Sequence, residues 1–221
     1  MIKIKTITSL GLFLLLAVSN SQGQDPARFK KEVDKVVQKS DSLHVNGNLI
    51  LFTGSSSVRR WDYIGSWFPG KNILNTGFGG SHMSDLIFFA DDVILRYKPS
   101  QVFIYEGDND LFAGKEPELI AEQARQLIKK LRKELPSIKI VLIAAKPSPS
   151  RWSLKEKYIK LNSLYQSIDK QYRYVEYADV WTPMLNNNGK PERSLFISDS
   201  LHINPKGYDL WAIEMKKHMK K

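Results

Sequence analysis

Residues 48–57, with the sequence NLILFTGSSS, join a short apolar run to a tight turn of one glycine and three serines. Four similar apolar runs follow, and longer amphipathic stretches separate them. They lie at 72–76 (NILNT), 101–106 (QVFIYE), 139–145 (KIVLIAA) and 172–178 (YRYVEYA). Strands that alternate with helices predict a parallel sheet covered on both faces. We therefore expect an α/β fold, a three-layer α/β/α sandwich with a five-stranded parallel sheet of flavodoxin-like order.

The amphipathic stretches between these runs predict the helices. Residues 83–97, 117–134 and 153–170 each place apolar side chains on one face. A last helix is expected to begin at Asn204-Pro205, since asparagine is a good N-cap and proline is favoured at the first helical position.

The N-terminal residues resemble an export signal rather than part of the fold. Two lysines precede an apolar run at 7–18, and small polar residues follow it. This order is typical of a secretory signal peptide, although a retained membrane anchor is the alternative. The run is short for a membrane span, which needs about 20 apolar residues. We expect a signal peptide at 1–23, one domain at 24–221, a secreted or periplasmic location in the cell envelope, and no stable membrane insertion after cleavage.

Composition restricts the chemistry of the mature chain. The sequence holds no cysteine, which excludes disulfides, thiolate nucleophiles and zinc–thiolate sites. The formal net charge is +10, but many of the lysines lie on amphipathic stretches, where a solvated basic face is the simpler interpretation. We expect no nucleic acid partner, no metal and no cofactor, and a weak attraction to acidic glycans or lipid headgroups stays open.

Small polar loops follow four of the predicted strands, and the carboxyl ends of parallel strands meet at one edge of a sheet. Ester hydrolysis needs a nucleophile, a base, a group that orients the base, and donors for the oxyanion. Ser56 follows the turn at Gly54 and is the candidate nucleophile, although Ser56 or Ser57 could instead cap a helix. Asp199 and His202 are spaced so that the Asp199 carboxylate can reach the His202 ring, although a surface ion pair is the alternative interpretation.

Further polar residues of these loops complete the predicted site. The Gly80 backbone and the Asn109 amide are candidate oxyanion donors, because glycine permits a close approach and asparagine supplies a neutral donor. His82 follows the glycine loop and is a candidate substrate contact. Arg151 and Trp152 are candidates for the same role, since aromatics with an arginine suit stacking on sugars and pairing with acidic groups. Trp61, Trp67, Phe68 and Phe78 could line the same edge or belong to the core.

Four segments of the chain, taken together, resemble the SGNH (GDSL-like) hydrolases. The segments are 52–61 (FTGSSSVRRW), 75–86 (NTGFGGSHMSDL), 104–111 (IYEGDNDL) and 199–208 (DSLHINPKGY). They match the first, second, third and fifth blocks of that family in the family's order. The resemblance implies the SGNH hydrolase fold, Ser56 as nucleophile with its backbone N–H as a third oxyanion donor, Gly80 and Asn109 as the other donors, and His202 as base oriented by Asp199.

One position departs from the family pattern. Ser55 stands where the name-giving aspartate of the GDSL motif is expected. The chain is in this respect similar to the subgroup of platelet-activating factor acetylhydrolases and carbohydrate esterases, and we read Ser55 as a mark of that subgroup. The implied activity is hydrolysis of a short acyl ester, with acetyl as the expected acyl group, of a carbohydrate or similar polar substrate.

Two other functions stay open at this point. A lipid acylhydrolase of lysophospholipase type should show a large apolar rim, and a non-catalytic glycan-binding protein on the same fold need not retain Ser56, Asn109, Asp199 and His202 together. A dinucleotide-binding loop, a Walker loop and a zinc hydrolase helix are absent from the sequence.

Overall fold

The computed structural model describes residues 25–43 and 47–219. The predicted signal peptide, residues 1–23, lies outside the described residues. Within the described ranges, no helix is both long and apolar enough to cross a membrane.

A five-stranded parallel sheet forms the centre of the molecule. Its strands are β1 (Leu49–Gly54), β2 (Asn72–Asn75), β3 (Gln101–Tyr105), β4 (Lys139–Ile143) and β5 (Val175–Ala178). Their order in the sheet is β2-β1-β3-β4-β5, and every neighbouring pair is parallel. The predicted α/β sandwich with five parallel strands in flavodoxin-like order is confirmed.

Helices connect the strands and cover the sheet. They are α1 (Lys30–Asp41), α2 (Ser56–Arg59), α3 (Met83–Phe88), α4 (Ala90–Val93), α5 (Asp108–Phe112), α6 (Pro117–Glu134), α7 (Lys155–Gln171) and α8 (Pro205–His218). The last helix begins as predicted, because the Asn204 side chain accepts a hydrogen bond from the backbone N–H of Gly207 and proline follows it.

Alternate residues of the strands feed two apolar cores, one on each face of the sheet. Leu51 of β1 and Ile104 of β3 face a core formed with α1, α3, α4, α6 and α7. Phe52 and Phe103 face the opposite core, which α8 and the segment after α2 close. Because β1 and β3 are buried on both faces, almost all of their residues are apolar.

Two predicted elements differ from the structure by more than two residues. The stretch 83–97 is not one helix: it is broken at Phe89 and again at Ile94, and a short 3-10 turn ends it. The hydroxyl of Thr76 donates to the carbonyl of Val93 at 2.8 Å, so that carbonyl is bonded outside the helix. The fifth strand begins at Val175 rather than at residue 172, because Tyr174 adopts a left-handed conformation with φ of 60°.

Candidate active site

Ser56 lies at the point where β1 turns sharply into α2. Gly54 ends β1 with φ of 122°, and a Cβ at that position would lie 2.1 Å from the carbonyl oxygen of Tyr105. Only glycine therefore fits the turn. Ser55 is the N-cap residue of α2 without a side-chain capping bond, and Ser56 is the first helical residue. The hydroxyl of Ser56 contacts the ring of His202.

Ser56, His202 and Asp199 form a continuous chain of contacts. His202 Nε2 lies 3.0 Å from Ser56 Oγ, and His202 Nδ1 lies 2.6 Å from Asp199 Oδ2. With the proton on Nδ1 donated to the carboxylate, Nε2 is free to accept the serine proton. The structure thus brings together the three residues that the sequence analysis selected as nucleophile, base and orienting group.

A compact turn holds the Asp199 carboxylate against the ring of His202. Asp199 Oδ1 accepts the backbone N–H groups of Leu201 and His202, each at 2.9 Å. Ser200 takes a left-handed conformation with φ of 59°, which closes the turn. Desolvation raises the pKa of Asp199, but hydrogen bonds from the His202 ring and from these backbone groups outweigh it and lower the pKa to about 2. The carboxylate is therefore charged whenever the histidine works as a base.

Two backbone N–H groups beside Ser56 are open donors. Among the described residues, neither the Ser56 N–H nor the Gly80 N–H has a hydrogen-bond partner. Gly80 is exposed and has φ of 83°, a conformation that favours glycine. Both groups are free to donate to a negatively charged oxygen.

Asn109 lies next to these donors, but both of its amide hydrogens are already engaged. Its Nδ2 donates to Ser55 Oγ at 2.7 Å and to the carbonyl of Ser81 at 3.0 Å. Ser55, which replaces the usual aspartate, is thus a neutral acceptor for Asn109. The amide can reach an oxyanion only by exchanging one of these two partners.

Arg151 holds the other end of the Asn109 amide. Both of its terminal nitrogens lie 3.2 Å from Asn109 Oδ1, and Nη1 also donates to Asp108 Oδ1 at 2.7 Å. Its guanidinium stacks on the Phe112 ring, and its side chain is only 9% exposed. Arg151, which the sequence analysis selected as a substrate contact, is therefore occupied with protein groups and fixes the orientation of Asn109.

A buried ion cluster underlies this part of the site. Asp108 pairs with Arg151 and, at 3.3 Å, with the fully buried Lys146. Burial raises the pKa of Asp108, but the two cations outweigh it and hold the pKa far below its usual range. Burial lowers the pKa of Lys146, and the Asp108 carboxylate opposes that shift. The cluster joins the loops that follow β3 and β4.

The remaining candidates for substrate contact differ in exposure. His82 is only 6% exposed, and its backbone N–H caps α3 through Asp85 Oδ2, so it offers little surface to a ligand. Trp152 is half-buried and stacks on Trp181 with ring centroids 5.8 Å apart. The backbone N–H of Ser150 donates to the carbonyl of Ser200, which ties the Trp152 segment to the Asp199–His202 turn. Trp61, Phe68 and Phe78 belong to the cores.

Two carboxylates that support the site were not singled out in the sequence. Glu32 of α1 accepts the backbone N–H of Gly79 at 2.9 Å, and Glu106 is buried 2.6 Å from the Ser81 hydroxyl. Glu106 immediately precedes the Gly107-Asp108-Asn109 loop at the end of an apolar run, and this position was a usable signal. Glu32 lies far from the loops in sequence, and nothing local distinguishes it from other helical glutamates. Across 25–43 and 47–219, no group of three or more His, Asp or Glu residues could hold a metal ion.

Comparison with known proteins gives a family and a fold. The model of the GDSL-like lipase/acylhydrolase family matches residues 41–210. No curated protein sequence shows significant similarity to the chain.

Solved structures resemble the chain over most of its length. A protein from Streptococcus pneumonia with the provisional name platelet activating factor has a TM-score of 0.76 at 22% identity, covering 87% of this chain and 94% of its own. A GDSL-like lipase from Bacteroides thetaiotaomicron has a TM-score of 0.67 at 17% identity, with coverages of 88% and 96%. A catalytic mutant of an acetylxylan esterase from Geobacillus stearothermophilus has a TM-score of 0.64 at 13% identity, with coverages of 78% and 94%. At these identities the likeness shows the fold.

Proposed function

The chain belongs to the GDSL-like lipase/acylhydrolase family and is a serine esterase, and we propose that it removes short acyl groups, acetyl foremost, from a carbohydrate or similar polar substrate. The observation that carries the catalytic assignment is the run of contacts from Ser56 Oγ through His202 to Asp199. A surface ion pair alone would not direct the free ring nitrogen at a serine hydroxyl on a different loop.

In the proposed reaction, Ser56 Oγ attacks the ester carbonyl while His202 Nε2 takes its proton. Asp199 stabilises the resulting imidazolium. The backbone N–H groups of Ser56 and Gly80 donate to the oxyanion, and Asn109 joins them by releasing Ser55 Oγ. The protonated His202 then gives its proton to the leaving alcohol, which leaves an acyl group on Ser56. Water, activated by His202, hydrolyses this acyl-enzyme.

Two features support a carbohydrate or similar polar substrate. The Trp152–Trp181 pair lies beside the Asp199–His202 turn and offers an aromatic surface on which a sugar ring could stack. The fold is also shared with an acetylxylan esterase. The alternative of a lipid acylhydrolase requires an extended apolar rim, whereas the exposed large hydrophobic residues of the described chain are scattered singly over many elements.

The test is hydrolysis of p-nitrophenyl acetate, butyrate and octanoate by the purified protein and by Ser56→Ala and His202→Ala variants. We expect highest kcat/KM on acetate and a loss of about 10³-fold or more in kcat in both variants. Ser163→Ala, an exposed serine on α7, is the matched control and should keep full activity. Full activity in Ser56→Ala would refute the assignment, and a preference for octanoate would favour the lipid alternative.

We further propose that residues 1–23 direct export and that the enzyme works in the cell envelope or outside the cell. The support is the order of charged, apolar and small polar residues in the sequence. Intact-mass measurement of the protein recovered from the envelope fraction should give a chain beginning near residue 24. Recovery of the uncleaved chain from the cytosol would contradict export.

A further inference from the structure

A basic groove adjoins the glycine loop of the active site. One cavity of about 550 Å³ is lined by Arg28, Lys31, Glu32, Lys35 and Arg59. The three α1-side cations at 28, 31 and 35 are spaced three and four residues apart, so they occupy one side of the N-terminal segment. Arg59 of α2 faces them across the cavity. Four cations and one carboxylate therefore surround a single concave space.

The guanidinium groups of this groove are fixed in place by acidic partners. Arg28 pairs with the buried carboxylate of Asp85, and Arg59 Nε lies 3.5 Å from Glu32 Oε1. Lys31 and Lys35 are exposed and have no ion-pair partner among the described residues. The groove thus combines a preorganised lining with two ammonium groups that are available to a ligand.

Direct contacts join the groove to the catalytic loops. Glu32 accepts the N–H of Gly79, the residue before the candidate oxyanion donor Gly80. A Cβ on Gly79 would lie 2.4 Å from Arg59 Nε, so the guanidinium lies against the glycine loop. Arg59 also ends the short helix that Ser56 begins. The groove therefore borders the glycine loop that carries the candidate oxyanion donor Gly80.

The groove continues beyond Arg59 toward the edge strand β2. A second cavity of about 810 Å³ shares Arg59 and includes Lys39, one turn after Lys35. Tyr63 on its rim is 89% exposed and is held in a left-handed conformation with φ of 50°. An exposed aromatic ring is accessible for stacking on a sugar. The first cavity is lined only by charged side chains, so it fits an acidic saccharide better than an acyl chain.

We propose that this groove binds the carboxylate-bearing saccharide units of the alcohol part of the substrate, so that the enzyme prefers esters of acidic glycans. The inference rests on the proposed function and names its substrate class. Lys31 and Lys35 supply the attraction, while Arg28 and Arg59 shape the cavity.

The experiment compares kcat/KM for acetyl release from acetylated polygalacturonate and from the same polymer after reduction of its carboxyl groups. The full-length protein should prefer the acidic polymer by about fivefold or more at low salt, and the preference should shrink in 0.5 M salt through screening. The double variant Lys31→Gln/Lys35→Gln should lose the preference. Lys129→Gln/Lys133→Gln is the matched control, because it removes two exposed lysines at the same spacing from α6.

Hydrolysis of p-nitrophenyl acetate distinguishes a failure of the proposed function from a failure of the acidic-glycan groove. The Lys31→Gln/Lys35→Gln variant should hydrolyse this small neutral ester at the rate of the unaltered protein. No activity on it in the unaltered protein would refute the proposed function. Three results would overturn the acidic-glycan groove and leave the proposed function standing. The first is activity with no preference for the acidic polymer, and the second is an equal loss of preference in both double variants. The third is a Lys31→Gln/Lys35→Gln variant that keeps the polymer preference and loses only its binding to anionic phospholipid vesicles.

Discussion

At the scale of single residues, the protonation of Glu106 follows from its hydrogen-bond geometry. Ser81 Oγ lies 2.6 Å from Glu106 Oε1 and 3.0 Å from the carbonyl of Phe78. A hydroxyl has one proton, so both contacts are satisfied when Ser81 donates to Phe78 and a protonated Glu106 donates to Ser81. Burial, reinforced by the charge of Asp110, raises the pKa of Glu106 well above its usual range. The neutral acid is therefore the form that fits the fold.

This state makes the free energy of unfolding depend on pH. The unfolded chain releases the Glu106 proton near its ordinary pKa, whereas the folded chain retains it, so stability falls as pH rises above that value. The slope is at most about 1.4 kcal/mol per pH unit. Glu106→Gln should remove this slope and make the protein more stable than the parent at pH 8.

Urea unfolding of Glu106→Gln between pH 5 and pH 8 measures the effect. Glu134→Gln, at an exposed position on α6, is the control and should follow the parent at every pH. A variant whose stability changes with pH as steeply as that of the parent would mean that Glu106 is charged in the fold.

Arg151 should affect turnover more than substrate affinity. Without its two contacts to Oδ1, the Asn109 amide can rotate and present its oxygen to the oxyanion, where it would repel charge. Removal of one oxyanion donor costs about 10²–10³ in rate, and we expect Arg151→Met to lower kcat on p-nitrophenyl acetate by about 10- to 100-fold with little change in KM.

Arg151→Lys separates positioning from charge. It restores a cation next to Asp108, and so should recover thermal stability, but a single ammonium cannot replace the two-pronged contact with Asn109. Its kcat should stay low. Arg173→Met, at an exposed arginine, serves as the control. Recovery of kcat together with stability in Arg151→Lys would show that the residue acts through the buried ion cluster alone.

At the scale of elements, the junction of β1 and α2 has almost no tolerance for added atoms. A methyl group at Gly54 would collide with the backbone of β3 at Tyr105, in addition to the unfavourable φ. Gly54→Ala should therefore reduce the free energy of unfolding by at least about 3 kcal/mol. The added methyl group should also shift the turn that carries Ser56.

Gly65→Ala is the matched comparison for this prediction. Its added Cβ meets nothing within 4 Å, and its φ needs no glycine. Thermal denaturation followed by circular dichroism should show a large drop in Tm for Gly54→Ala and almost none for Gly65→Ala. Equal Tm values would mean that the end of β1 can shift away from β3.

At the scale of the whole molecule, the two cores share one sheet and should unfold together. Trp61 and Trp211 report on the core closed by α8, whereas α6 and α7 on the other face are the two longest helices of the described ranges and contribute strongly to the far-ultraviolet circular dichroism. Denaturation followed by tryptophan fluorescence and by circular dichroism should give coincident transitions. Separate midpoints would show that one layer of helices is lost before the sheet.

Sequence periodicity was sufficient for the sheet because its three inner strands, β1, β3 and β4, are buried on both faces. It also located four loops of the site, which follow β1 to β4, since parallel strands all present their carboxyl ends at one edge. It failed where a single long-range contact decides the outcome. The bond from Thr76 to the carbonyl of Val93 accompanies the break in a stretch that reads as one helix. The engagement of Arg151 by Asp108 and Asn109 likewise depends on atoms brought together only by the fold.

Ser56 and His202 are 146 residues apart, and the residues between them build most of the sheet. During translation the nucleophile is added to the chain 146 residues before its base. A nascent or prematurely terminated chain thus carries a serine without a proton acceptor, however well its first strands have formed. The triad is therefore complete only after all five strands of the sheet have been synthesised.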